Sequence, residues 1–392
     1  MDRIQQLCHS VQEEATQWRH HFHENPELGF AEVNTTAFIV ERLKSFGIEV
    51  WQPTKTGVIG IIRGEKPGKT VAYRADIDAL PIQESEENNP RSKTDGVMHA
   101  CGHDGHTATL LGVAKVLAEL KDEISGEIRL VFQPAEECPP GGAVGLVAAG
   151  VVKDVDCIFG MHYSTTDKAG VFSIKEGPLY ASTCDFDIIV TGAGVHAAYP
   201  HKGKDTILIA SNLVVALNGI IPRSIDSSNR CVLSVTTFQG GTAHNVIPET
   251  VSIGGTMRYL NEESGQYLIQ RVHEVADGLS RMYGATIEVR LTKGYQMLEN
   301  HPEPTQVVRN ILTRHFGEES VIEAPAVMGG EDFSAYLKEV RGCYYRIGAM
   351  KPKADGKVYP AHQCKYEMSD DALVFGIEAA VRILLEAPSL LR

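Results

Sequence analysis

The sequence predicts an α/β protein in two parts: an outer domain built from both ends of the chain, and a β-α-β-β-α-β unit inserted in its middle. Three observations lead there. The length, 392 residues, is long for a single hydrophobic core. From Gly57 to His162, short Val/Ile-rich runs bounded by Gly or Pro alternate with a stretch of helical periodicity. Near Thr183 the period changes, and strand, helix, two strands, helix and strand follow in the order of a ferredoxin-like unit.

In chain order, MDRIQQLCHSVQEEATQWRHHF reads as an amphipathic helix. GVIGIIRG and TVAYRADIDAL read as strands between Gly57 and Leu80. Leu110, Leu111, Val113, Ala114, Leu117 and Leu120 recur at helical spacing, so a helix is expected over 107–120. EIRLVF (127–132) is a buried strand ending at Gln133-Pro134, and DCIFGM (156–161) another ending at His162. Both deliver polar residues to their carboxyl ends, where open α/β sheets place ligands. The inserted unit runs through CDFDIIVTG, a helix over 205–221, CVLSVTTFQGG, TVSIGGTMRYL, a charged amphipathic helix over 262–283, and TIEVRLTKGY. The outer domain resumes near Leu298 with a helix over 303–316, the turn Met328-Gly-Gly-Glu-Asp332, the strand CYYRIG, a loop carrying His362 and a helix over 369–385. The expected division is therefore 1–182 with 297–392, and 183–296 inserted.

A formal charge of -13, with no Lys/Arg-rich stretch, argues against nucleic acid or a membrane as partner and leaves a small solute. The first residues lack a positive n-region and an apolar h-region, and no window approaches eighteen consecutive apolar residues. A cytoplasmic protein is expected. The 8 cysteines follow no framework pattern, as reduced thiols do.

Chemistry-bearing residues concentrate in His99-Ala-Cys101-Gly-His103-Asp-Gly-His106. Any one of them reads as a packed core residue, but thiol and imidazoles grouped among glycines have little packing to offer and suit a metal. Cys101 and His103 can face one point from a Gly-containing turn. A thiolate there, at a helix N-terminus, is favoured by the helix dipole and by a cation, which makes Cys101 a candidate bridge between two metals. Supporting roles fit His99 and His106 better than ligation. Glu136-Glu137 reads either as a solvated pair or, at the end of a buried strand, as one metal-binding carboxylate beside one general base. His162 and His362 are isolated, and each alone is ordinary. In Arg74-Ala-Asp76-Ile-Asp78 the carboxylates either pair with Arg74 or orient a ligand histidine. His201, His244, Asn245 and Arg258 in the inserted unit read as loop and strand-edge residues or as substrate contacts. The Met328-Gly-Gly-Glu-Asp332 turn is either a helix N-cap or a receiver of a carboxylate through its exposed amides. HExxH, CxxC, GxSxG and Walker A patterns are all absent.

In order, HENPELGFAE, YRADIDALP, HACGHDGH, FQPAEE, GMH, GAGVHAAYPH, NVIPE, GTMR, GGEDF and AHQCKY resemble the dinuclear metallopeptidase and amidohydrolase family of aminoacylases and carboxypeptidase G-type enzymes. Within it, the chain is most similar to indole-acetyl-amino-acid hydrolases, hippurate hydrolases and N-acyl-amino-acid deacylases. The resemblance spans nearly the whole chain. It implies a catalytic domain with a central mixed sheet flanked by helices, and an inserted lid and dimerisation domain. It implies two divalent metal ions per subunit (Zn, Mn or Co) on Cys101, His103, Glu137, His162 and His362, with Cys101 where the wider family has a bridging carboxylate. Glu136 would be the general base and Asp78 the residue steadying a ligand, while Asp76 stands where other branches have a ligand histidine. His196 would reach across a dimer to polarise the scissile carbonyl, and Asn245, Arg258, Gly329 and Gly330 would contact substrate. His244 and Cys138-Pro-Pro depart from the commoner pattern and bear on pocket shape. The implied reaction cleaves an N-acyl amino acid to a carboxylic acid and a free amino acid. The implied partners are that small substrate or a short peptide, and further copies of the chain in a homodimer or higher homo-oligomer formed through the inserted domain. A dipeptidase or carboxypeptidase with the same centre is the nearer alternative, a non-catalytic binding homologue the more distant one.

Overall fold

The computed structural model describes residues 1–392. The chain divides into two compact units, one formed by 1–177, 299–325 and 332–392, the other by 178–298 and 326–331. The short return of 326–331 to the second unit has no signal in the sequence. Val327 N–H donates to Leu179 O at 2.9 Å and Ala181 N–H to Gly329 O at 2.9 Å, so backbone pairing, which ignores side-chain identity, places it there.

The first unit is built on a mixed eight-stranded sheet. Its order is Glu49–Trp51, Val58–Arg63, Ser125–Gln133, Lys66–Asp76, Cys157–Ser164, Gly342–Gly348, Phe172–Ile174 and Val321–Glu323. Strands Ser125–Gln133, Lys66–Asp76, Cys157–Ser164 and Gly342–Gly348 run parallel, so their carboxyl ends share one edge. These central strands are buried on both faces, which is why they read as continuous apolar runs. Helices His103–Glu119, Pro302–Phe316 and Ala372–Leu390 pack against the sheet, and Arg3–Glu24 packs on His103–Glu119 and Ala372–Leu390. Helix His103–Glu119 is buried on nearly every side and starts four residues before its apolar periodicity does. Its N-cap is Gly102 at φ 90°, a left-handed position that glycine takes without strain. Helix Val33–Ser45 went unanticipated because β-branched residues and threonines dilute its helical signal.

In the second unit, the sheet order is Cys231–Gln239, Thr250–Tyr259, Ser182–Thr191, Thr286–Lys293, all neighbours antiparallel. With helices Thr206–Ser224 and Glu262–Tyr283 this is the ferredoxin-like arrangement. Strand Ser182–Thr191 buries alternate residues, the signature of a sheet with one solvated face. Helix Glu262–Tyr283 buries Leu268, Val272 and Ala276 at a spacing of one turn, is capped by the Asn261 side chain on Ser264 N–H, and stops at Gly284 with φ 59°. Helix Thr206–Ser224 is by length and composition apolar enough to cross a membrane. It buries Ile209, Ala210, Leu213, Leu217 and Ile220 in the core of this unit.

Candidate metal centre

Residues from five segments of the first unit converge at the shared carboxyl edge of its parallel strands. Lys66–Asp76 stops at Asp76, so Asp78, expected within the TVAYRADIDAL strand, lies past the strand end. Ser125–Gln133 turns through Pro134 and Ala135 into Glu136-Glu137, and Cys157–Ser164 carries His162 inside the strand. Helix His103–Glu119 opens at the same edge, where Thr107 Oγ1 donates to Asp76 O at 3.2 Å. His362 enters on a loop, held by its N–H on Ala100 O at 2.8 Å, with a left-handed φ of 66°.

Beside the trios of Asp76 with His103 and His106, and of His103 with Glu136 and Glu137, two trios of potential ligand atoms there share one residue: Cys101 with His103 and His162, and Cys101 with Glu137 and His362. Cys101 belongs to both. Its Sγ lies 3.4 Å from His162 Nε2, and Glu137 Oε1 lies 3.0 Å from His362 Nε2. A tetrahedral ion with bonds of about 2.0–2.3 Å holds its ligand atoms roughly 3.3–3.7 Å apart, so the Cys101–His162 separation suits a small cation, while Glu137 and His362 are in direct hydrogen-bond contact that ligation would replace. Tautomers agree. His103 Nδ1 donates to Asp78 O at 2.9 Å and His162 Nδ1 to Tyr163 O at 2.6 Å, so in both rings Nε2 is left to offer a lone pair. His103 Nε2 is buried without a hydrogen-bond partner. The residues therefore fit a pair of cations.

Asp78 organises two sides of this group. Its carbonyl fixes His103, while Oδ1 and Oδ2 accept the N–H groups of Glu136 and Glu137 at 3.0 Å each. His106 is excluded as a donor: Nδ1 is bonded to Asp76, and Nε2 accepts Tyr163 N–H at 2.9 Å. His99 is buried and likewise lies outside both trios.

The electrostatics favour positive charge. Burial, reinforced by Glu137, Glu136 and Asp76, pushes the Cys101 thiol well above its usual range. The helix N-terminus expected to favour its thiolate is thus outweighed. Burial opposes charge on His103, yet Asp76 and Asp78 raise it to about 10. Burial and the neighbouring His106 hold His162 well below its ordinary value. The hydrogen bond to Glu137 raises His362. A cation would reverse the burden on Cys101 by supplying charge that the protein lacks there.

Beneath the centre, fully buried Arg74 donates to Asp76 Oδ2 at 2.5 Å, Gln133 Oε1 at 2.8 Å and Asp332 Oδ1 at 2.7 Å. Asp332 also accepts Ala143 N–H at 3.0 Å. Part of the GGED segment is thus an internal ion-pair partner, a role that sequence reasoning missed because its partner lies 258 residues away.

The remaining candidates belong to the second unit. His196 is exposed in the short strand Val195–His196, paired with Val246–Ile247, and Ala197 N–H donates to Asn245 O at 2.9 Å, so His196 and Asn245 adjoin. Arg258 Nη1 donates to Met328 O at 3.2 Å, next to Gly329-Gly330. His201 and His244 are exposed in loops.

A profile of peptidase family M20/M25/M40 matches residues 72–386. Thermostable carboxypeptidase 2 of Saccharolobus solfataricus is 42% identical over 96% of this chain and 96% of its own. An N-acyl-L-amino acid amidohydrolase of Geobacillus stearothermophilus is 44% identical over 77% of this chain and 82% of its own. Among solved structures, a dinuclear metal binding peptidase of Bacillus subtilis superposes with a TM-score of 0.85 at 32% identity, over 97% of this chain and 99% of that one.

Proposed function

The chain belongs to peptidase family M20/M25/M40, and from that premise we propose that it is a two-metal amidohydrolase acting on N-acyl amino acids. The observation that carries this reading is the pair of ligand trios sharing Cys101, with Glu136 beside Glu137 on the same turn. The dinuclear centre of the Bacillus subtilis relative supports it. Cys101, His103, Glu137, His162 and His362 would hold the ions. Thiolate and imidazole suit Zn²⁺, and the carboxylate and imidazole positions also admit Mn²⁺ or Co²⁺. Such ions would supply, when bound, acidification of a water towards neutral pH and Lewis-acid polarisation of the scissile carbonyl.

Glu136 takes the proton of the attacking water and returns it to the departing nitrogen, so the free amino acid leaves as a neutral amine. Asp78 keeps both glutamates and His103 in register. His196 donates to the oxyanion that develops on the scissile carbonyl, and its loss should cost on the order of 3–4 kcal/mol in the barrier. Arg258 and Asn245, with the Gly329 and Gly330 amides, receive the carboxylate of the amino-acid half. The protein works in the cytoplasm as a homodimer in which His196 serves the partner's centre. Mixing inactive His196→Ala and Glu136→Gln subunits should then regain part of the wild-type rate; a mixture as inactive as its components would rule out sharing.

Release of free amino acid from N-acetyl, N-benzoyl and indole-acetyl amino acids and from dipeptides, with Mn²⁺, Zn²⁺ or Co²⁺ added, tests the substrate class. Faster turnover of the acyl amino acids is expected. Preference for dipeptides would favour a carboxypeptidase, the reading that the Saccharolobus relative's name supports. No cleavage with any metal would leave a binding homologue, which the retained Glu136 argues against.

A further inference from the structure

The turn that carries Glu136 is held by two buried carboxylates, and only one of them is Asp78. Three successive backbone N–H groups are gripped: Ala135 by Glu32 Oε1 at 2.8 Å, Glu136 by Asp78 Oδ1 and Glu137 by Asp78 Oδ2, each at 3.0 Å. Ala135 adopts φ 53°, left-handed backbone that a residue with a Cβ keeps only when its surroundings enforce it.

Glu32 occupies the N-cap position of helix Val33–Ser45, where a carboxylate would ordinarily accept the helix's first N–H groups, yet it makes no such bond. Glu27 does that instead, accepting Asn34 N–H at 3.1 Å and Thr35 N–H at 2.8 Å. The Glu32 side chain is 0% exposed and is spent on Ala135. Burial pushes its carboxyl up against the bonds from its own N–H, Thr56 and Ala135, so the placement is costly. The segment bearing Glu32 is pressed against the turn. Ala79 N–H donates to Glu27 O at 2.9 Å, and a Cβ on Gly29 would come within 2.7 Å of Cys138 Sγ and 3.2 Å of the Ala135 Cα.

We propose that Glu32 is a positioning residue for Glu136, fixing Ala135 in its left-handed conformation and so aiming the base. The proposal rests on the reading of Glu136 as that base. A bound cation would hold Glu137 by its own bond. Glu136, read as the base and not as a ligand, takes the starting direction of its side chain from the backbone of this turn.

The test is a double-mutant cycle on metal-loaded full-length protein, reading kcat, KM and metal stoichiometry. Glu32→Ala should lower kcat by about 10- to 100-fold, the scale of a small misplacement of a catalytic group, with KM within about threefold and two metals retained. Glu32→Gln, which keeps a carbonyl acceptor of the same reach, should recover most of that loss. Adding Ala135→Gly to Glu32→Ala should return part of the rate, because glycine takes the conformation without the clamp. Glu32→Ala combined with Glu136→Gln should be no slower than Glu136→Gln alone, since a base already removed has no aim to lose. A wild-type kcat in Glu32→Ala, a loss of metal that accounts for its slowing, or full additivity with Glu136→Gln would each overturn the proposal. If Glu32→Ala does not accumulate as folded protein, Glu32→Asp, which withdraws the carboxylate by one methylene, replaces it with the same expectations. Normal turnover in Glu136→Gln would instead defeat the reading of the base, so the two failures are told apart.

Discussion

Glu136→Gln should keep its full complement of metal and lose about 10²- to 10⁴-fold in kcat, the span that a positioned general base contributes. Glutamine matches glutamate in size, and the N–H that Asp78 accepts belongs to the backbone, so the turn and its neighbour Glu137 stay in place. What disappears is the capacity to accept a proton. Steady-state kinetics together with elemental analysis separate the two consequences. A variant that binds metal and turns over normally would show that the proton goes elsewhere, and a variant that loses metal would make Glu136 a ligand.

Cys101→Ala should have the next largest effect, lowering metal content from two ions towards one or none and removing turnover with it. Both trios that contain Cys101 lose a donor when this one side chain is cut, and it is the one residue that joins His162 to Glu137 and His362. Cys101→Asp, with a carboxylate in the bridging position, should restore part of the binding. Unchanged stoichiometry in Cys101→Ala would remove Cys101 from the centre. The pH dependence has a definite sign. Without metal, Cys101 is held protonated by burial and by Glu137, Glu136 and Asp76, and His103 stays protonated up to about 10. Ligation displaces these protons, so apparent metal affinity should rise with pH across the neutral range, and less steeply in Cys101→Ala than in wild type. A metal titration at several pH values with proton release measured alongside checks this, and a pH-independent affinity would contradict it.

The dense motif around Cys101 was legible because thiol and imidazole packed among glycines have few other uses. Of its three histidines, only His103 joins Cys101 in a trio; His106, grouped with Asp76 and His103, has its ring nitrogens engaged by Asp76 and Tyr163, and His99 is in none of the trios. Hydrogen-bond partners decide which ring nitrogen is available, and those partners come from other strands. The division of Glu136 from Glu137 is similarly invisible in the string Glu-Glu. Asp78 was singled out because it stands near the end of a strand on the site side. Glu32 drew no reading from the sequence, and only its distance to Ala135 reveals its use.

The sequence by itself determined the α/β class, the ferredoxin-like order of the second unit and the residue types of the centre. Each of those is carried by local periodicity or by composition within a short window. Tertiary structure alone decided that 326–331 returns to the second unit, that Arg74 meets Asp332, and that Glu32 and Asp78 together hold the Glu136-Glu137 turn. These depend on backbone pairing and on buried charges meeting across long stretches of chain. Neither leaves a periodic trace, because a carboxylate must be placed in three dimensions before its partner can be known.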